Sequence, residues 1–280
     1  MTAVTASGVR TAAAIPRRRR RGITHLGSRI FLALLIVFLF VPLLVVVLFS
    51  LNATASLSFP IPGFSLRWYD KVLDDPEVVG ALGRSAIAAF ITGIVAGAIG
   101  ILAALGIQGL PPRWRGVAQT VVLIPIATPA LLLGIGLAIY FNRLGVKPPR
   151  LPMAIAGHIL LALPFVLLTM TAALERFRFS LLEAARDLGA SRARAFWTIT
   201  FPLVLPAVLG AILLAAAVSL DEFIIAFFTT GTDNTLPLVI YSRIRRVIDP
   251  GLNALATILL IGTTLLAILA ARTTTASARR

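Results

Sequence analysis

Six long apolar runs, separated by segments that hold most of the charge, leave this chain few ways to fold. A helix crossing a bilayer needs roughly 20 apolar residues at about 1.5 Å each. Six segments satisfy this: about Ile30 to Phe49, Gly80 to Gly106, Val117 to Phe141, Leu151 to Leu174, Leu203 to Thr230 and Leu252 to Ala271. Hydrocarbon offers no water to backbone amides and carbonyls, so each run has to pair them internally as a helix. With 58% hydrophobic and 13% charged residues and a mean hydropathy of +0.95, the chain is too apolar for a soluble domain. The expected fold is all-α, an integral membrane protein of six transmembrane helices. The absence of cysteine excludes disulfides and thiolate zinc sites.

Pro125, Pro129 and Pro164 lie inside the runs and predict kinked helices. The second run carries Gly93, Gly97, Gly100 and Ala104, a small-residue face that lets another helix approach closely. The expected divisions are a basic tail over 1–29, a first span over 30–51, an outer loop over 52–79, a transmembrane domain over 80–272 holding a polar loop at 175–202, and a tail over 273–280. Phe64, Trp68 and Tyr69 of the outer loop suit a membrane interface, and its acids Asp70, Asp74, Asp75 and Glu77 suit a solvated surface or, as the alternative, a soluble partner.

With the amino terminus inside, seventeen of the 26 basic residues fall on inner segments, including Arg17 to Arg21. This bias places both termini in the cytoplasm. The arginine run precedes a span, where it anchors topology against anionic lipid, and nucleic acid is not an expected partner. Ala53-Thr54-Ala55 imitates a leader-peptide cleavage site, but the preceding apolar run of about 20 residues exceeds a leader core, so the first span is read as retained.

The loop between the fourth and fifth runs has the most specific local pattern. Ser180 followed by Glu183 makes a capping box, which predicts a short helix from Leu181. Leu181, Ala185 and Leu188 then form one apolar stripe. Gly189 is a natural helix stop, Ser191 is placed to cap a second short helix, and Pro202 and Pro206 mark a turn into the next span.

Glu183-Ala184-Ala185, Gly189, Ile199 and Pro202 together resemble the cytoplasmic signature of permease subunits in binding-protein-dependent ABC importers, with Phe201 where leucine is usual. The resemblance implies that this loop is a coupling helix seated in a groove of an ATPase subunit. It also implies partners: two ATPase copies, a second homologous permease and a periplasmic solute-binding protein, in the cell inner membrane. Phe64 to Tyr69, Ser219 to Phe228, Thr235 to Ser242 and Ile248 to Thr257 resemble the second permease subunit of spermidine/putrescine importers. Related permeases carry aminoethylphosphonate, opines, amino-acid-like compounds or ferric iron, and these remain alternative solutes.

Asp221 and Glu222 interrupt the fifth run, and carboxylates in a membrane segment usually face a cavity or a partner group. Such a pair favours a cationic solute, with Asp221 the candidate pathway residue. No catalytic residue, metal site or cofactor is expected. His25 and His158 are far apart in sequence, and no phosphate loop is present, so ATP hydrolysis falls to a partner chain. A secondary transporter working without an ATPase is the remaining alternative class, and no clear inverted repeat supports it.

Overall fold

The computed structural model of the protein describes residues 23–146, 150–177, 180–245 and 249–278. Arg17 to Arg21, Lys147, Arg178, Arg246, Arg279 and Arg280 lie outside the described residues. The chain divides into two units, residues 1–45 and 46–280. Helix α1 (Ile23–Ser50) makes up the described part of the first unit and ends in the second. Its segment Gly27–Ser50 is long and apolar enough to cross a bilayer.

The second unit continues with α2 (Arg67–Leu73), α3 (Pro76–Gly109), α4 (Pro112–Ala127), α5 (Ala130–Arg143) and α6 (Leu151–Glu175). Then come α7 (Ser180–Asp187), α8 (Arg192–Ala195), a π-helical turn at Phe196–Thr200, α9 (Phe201–Asp221), α10 (Ile224–Thr229), α11 (Leu236–Ile244) and α12 (Pro250–Ala278). Among the described residues there is no strand, and an isolated bridge joins Asn52 to Phe64.

Helices α3, α6, α9 and α12 make the bundle, with α9 packed on the other three. Its centre is built from small and branched side chains, among them Ala96, Val166, Met170, Ala211 and Ala215. The small-residue face of α3 is shared between two neighbours. A Cβ at Gly97 would lie 2.5 Å from Ile212 Cγ1 of α9, and one at Gly100 would overlap Val166 of α6. Without a hydrophobic force between helices in lipid, such close approach supplies the dispersion contacts that hold a bundle together.

The third expected span is two helices rather than one kinked helix. α4 and α5 meet at an angle of 95°. Pro129 has no N–H to offer, and proline disfavours helical backbone at the residue before it, so Thr128 is extended at φ −90°, ψ 129°. The fifth span also ends early, at Asp221 instead of Thr230. Glu222 turns extended at ψ 115°, and α10 restarts beyond it. In the other direction, no turn separates the second loop helix from α9. Arg192–Asp221 is one helical run, and the π turn places Phe201 N–H on Phe196 O, so Pro202 enters the helix without displacing a neighbour.

The segment between α1 and α3 is more ordered than a solvated loop. Trp68 is buried among Val72, Val78, Ala81, Leu236 and Leu255, and its indole N–H donates to Asn52 O at 2.7 Å. It is therefore a core residue and not an interface aromatic, with Arg67 and Lys71 over its ring. Asp75 is ion-paired at 2.5 Å with Arg243, which also reaches Glu77 at 3.3 Å. The Arg243 hydrogen bond, opposed by partial burial, holds the Asp75 carboxyl below its ordinary value.

Candidate functional site

Two sets of residues stand at opposite ends of the bundle, since α6 ends and α9 begins at the α7 loop while α9 carries the chain away from it. Twenty-one residues of α9 span roughly 31 Å at helical rise.

At the loop end, α7 closes with a Schellman corner. Ala190 N–H donates to Ala185 O at 3.0 Å and Gly189 N–H to Arg186 O at 2.9 Å. Gly189 sits at φ +87°, a conformation open to glycine without strain, and a Cβ there would have nothing within 4 Å. Ser191 accepts from Arg194 N–H at 3.2 Å and starts α8. Helix α7 begins at Ser180 itself, one residue before the expected start at Leu181, so Ser180 is the first helical residue rather than the cap before it.

No residue of α7 is buried. Its apolar stripe faces outward, Leu181 being 44% and Leu188 90% exposed. Glu183, Ala184, Gly189 and Pro202 are exposed, and Ala185 and Ile199 half-buried. The two alanines leave a low surface between Glu183 and the corner, which a protein groove can approach closely. Six residues identified from sequence thus lie on one helix–corner–helix element and its continuation into α9.

At the far end, Asp221 is the last residue of α9 and is exposed, making no hydrogen bond or ion pair among the described residues. Glu222 is half-buried, and its Oε1 accepts the Ile225 N–H at 2.8 Å. The two acids therefore differ in role: Glu222 starts α10, and Asp221 is left open. Just before them, buried Ser219 is bonded to buried His158 of α6, Oγ to Nδ1 at 2.8 Å. His158 is a hydrogen-bonded packing residue of the bundle.

Sequence reasoning missed an aromatic group beside the acids. Phe223, Phe227 and Tyr241 have ring centroids 4.8 to 6.0 Å apart, and Arg245 stands 4.6 Å over the Tyr241 ring. Phe223 and Phe227 share a helical spacing of four that was legible, but Tyr241 is on another helix and nothing local links it to them. It also missed how α11 is held. Arg84 Nε donates to Asn234 O at 2.7 Å, Ser85 Oγ accepts the Leu236 N–H at 2.8 Å, and Asp233 accepts the Leu151 N–H at 3.2 Å.

The family described as binding-protein-dependent transport system inner membrane component matches residues 96–280. The putrescine transport system permease protein PotI of Escherichia coli (strain K12) is 32% identical over 231 residues, covering 80% of this chain and 82% of that protein. The spermidine/putrescine transport system permease protein PotC of the same strain is 30% identical over 232 residues, covering 82% of this chain and 87% of that protein. The fold is similar to that of a bacterial alginate ABC transporter solved in complex with its alginate pentasaccharide-bound periplasmic protein. The TM-score is 0.62 at 15% identity, over 91% of this chain and 92% of that one. A bundle of membrane-length helices with a broken third span, an exposed helix–corner–helix loop and a match of this extent place the chain in the family of binding-protein-dependent transport system inner membrane components, as a permease subunit of an ABC importer.

Proposed function

We propose that this permease subunit carries polyamines inward, together with a second permease subunit and driven by two ATPase copies, one of them bound at the α7 loop. The observation that carries the solute reading is the acidic pair Asp221–Glu222 at the break between α9 and α10, in a chain similar to permeases named for putrescine and spermidine. A carboxylate at a break between apolar helices lowers the electrostatic cost of admitting an alkylammonium group from water, and Asp221 is the one left open for it.

The coupling reading rests on the exposed stripe of α7 and on the corner at Gly189. An ATPase groove that receives Leu181, Leu188 and the alanine surface would grip the loop, and α8 and the π turn continue without a break into α9. Closure of the ATPase pair on ATP would then shift α9 between two arrangements by binding them unequally. The loop and both termini would face the cytoplasm. A periplasmic binding protein would deliver the solute at the end where α10 and α11 lie.

Uptake of labelled putrescine and spermidine is the test, in cells lacking the gene and carrying it back intact or as Asp221→Asn. The intact gene is expected to restore uptake and the variant to slow it. Cells whose polyamine uptake is indifferent to the gene, in a background without another importer, would refute the solute reading and direct the search to the other solutes of the family.

A further inference from the structure

The chain between α1 and α2 folds as a hairpin that satisfies its own polar groups. Asn52 bridges to Phe64, Ala53 N–H donates to Gly63 O at 2.9 Å, and Ser65 N–H donates to Leu51 O at 2.7 Å. The Asn52 side chain is buried, its Oδ1 accepting the Thr54 N–H at 3.0 Å and its Nδ2 donating to Ser56 O. The Ser56 and Ser58 hydroxyls meet at 2.6 Å. Polar groups paired in this way leave water at low cost.

The side chains that stand outside this network are apolar. Phe59, Phe64 and Leu66 are 66%, 70% and 62% exposed, and no charged residue occurs from Leu51 to Leu66. The segment that follows, Arg67 to Glu77, holds six charged residues. A surface turned to water does not gather large apolar groups without a charge among them.

The hairpin is also level with the ends of membrane-length helices. Phe59 packs edge-on against Phe49 in the last turn of α1, centroids 5.1 Å apart, and the hydroxyl of Ser50 shares a 2.7 Å hydrogen bond with that of Tyr69 on α2. Trp68, bonded to Asn52 O, is packed on Leu236. Shortly before Leu236, Asp233 accepts the amide of Leu151, where the membrane-length helix α6 begins.

We propose that the hairpin 51–66 is seated in the membrane interface, with Phe59, Phe64 and Leu66 entering the headgroup–acyl boundary of the adjoining leaflet. Its partner is the phospholipid surface. Trp68 is spent on the core, and these three side chains take the interfacial place that an aromatic in this loop would have filled. A soluble protein that binds and leaves would meet a surface of ordinary polarity, which this is not. The seat holds α2 at a fixed depth, and it does so whatever the solute.

The chain contains no cysteine, so single cysteines placed by Phe64→Cys, Leu66→Cys and Asp74→Cys carry an environment-sensitive fluorophore without background. All three positions are exposed. The full chain is measured in nanodiscs of phosphatidylcholine and phosphatidylglycerol, with nitroxide-bearing lipid and aqueous iodide as opposing quenchers. Emission from 64 and 66 is expected to shift to the blue and to be quenched by the lipid nitroxide, as from about 5–10 Å inside the headgroup–acyl boundary. Emission from 74 is expected to stay unshifted and to be quenched by iodide. Leu66 lies outside the Asn52–Phe64 bridge, so its variant carries the test if Phe64→Cys fails to fold. Iodide quenching at 66 as strong as at 74 overturns the proposal. The assembled importer is then measured with and without its binding protein. Lipid quenching that persists in both supports the seat. Lipid quenching lost on assembly makes the hairpin a seam between subunits, and quenching lost only with the binding protein makes it a docking surface. Either loss overturns the seat.

Discussion

Gly189 allows the backbone and the partner surface to be separated experimentally. At φ +87° an L-residue such as alanine pays for the left-handed conformation roughly 1–2 kcal/mol. Because a Cβ at Gly189 meets nothing within 4 Å in this chain, that conformational cost is the whole intramolecular effect of Gly189→Ala. At about 1.4 kcal/mol per factor of ten, the equilibrium constant favouring the Schellman corner falls about 5- to 30-fold, and that factor is the upper limit on the loss of apparent affinity for the ATPase. Gly189→Val, being β-branched, is expected to be worse, whereas asparagine tolerates this region. Gly189→Asn therefore restores most of the corner while adding a side chain to its outer surface.

The assay is a titration of purified ATPase subunit onto the permease in nanodiscs, with uptake measured alongside. Alanine and valine variants that bind as tightly as the intact chain would refute the conformational reasoning. If Gly189→Asn binds no better than Gly189→Val, the loss comes from contact, which locates the ATPase wall against the corner. If asparagine rescues binding, the groove leaves room there, and Gly189→Asp is expected to be milder than valine for the same reason.

Gly100→Leu, whose side chain would run into Val166, is expected to lower stability by about 1–3 kcal/mol, and Val166→Ala to restore part of it. Thermal unfolding in nanodiscs measures this, and an unaffected midpoint would contradict the close α3–α6 approach. Ser219→Ala, which leaves buried His158 Nδ1 without its 2.8 Å partner, is expected to cost about 1 kcal/mol in the same assay. The Asp75 carboxyl is held below its ordinary 3.8, so it binds fewer protons folded than unfolded. Its contribution to stability is complete above that value and is lost as pH falls below it, through the lower folded value. Arg243→Gln is expected to remove this part of the acid limb of a stability–pH profile, and an unchanged limb would show the pair contributes nothing.

The local features of the α7 loop were legible because each rests on a few neighbouring residues. A glycine that must be left-handed and a serine that accepts an amide three residues on are settled within one turn of chain. The second-span glycines were legible as a small face, but not that the face divides between Ile212 of α9 and Val166 of α6. Hydropathy saw the third run as continuous since it averages over Thr128 and Pro129, two residues that decide a 95° bend. The end of α9 was hidden likewise: the apolar run continues past Asp221 to Thr230, and the break depends on Glu222 accepting the Ile225 amide.

Trp68 shows the limit most plainly. An aromatic in a loop between spans reads as an interface residue, and its burial depends on Leu236 and Leu255, which lie far along the chain. Arg243 and Asp75 are separated by 168 positions, and Arg84 and Asn234 by 150, so no local pattern joins them.

What the sequence alone determined is the class of the protein: lipid admits backbone only as helix, so apolar runs of sufficient length require a helical bundle whatever their packing. It also determined the loop, whose geometry is local. The tertiary structure decided where spans break, which ring faces which cation and which acid remains open. Those outcomes depend on contacts between residues distant in sequence, and a periodicity carries no record of its neighbours across the bundle.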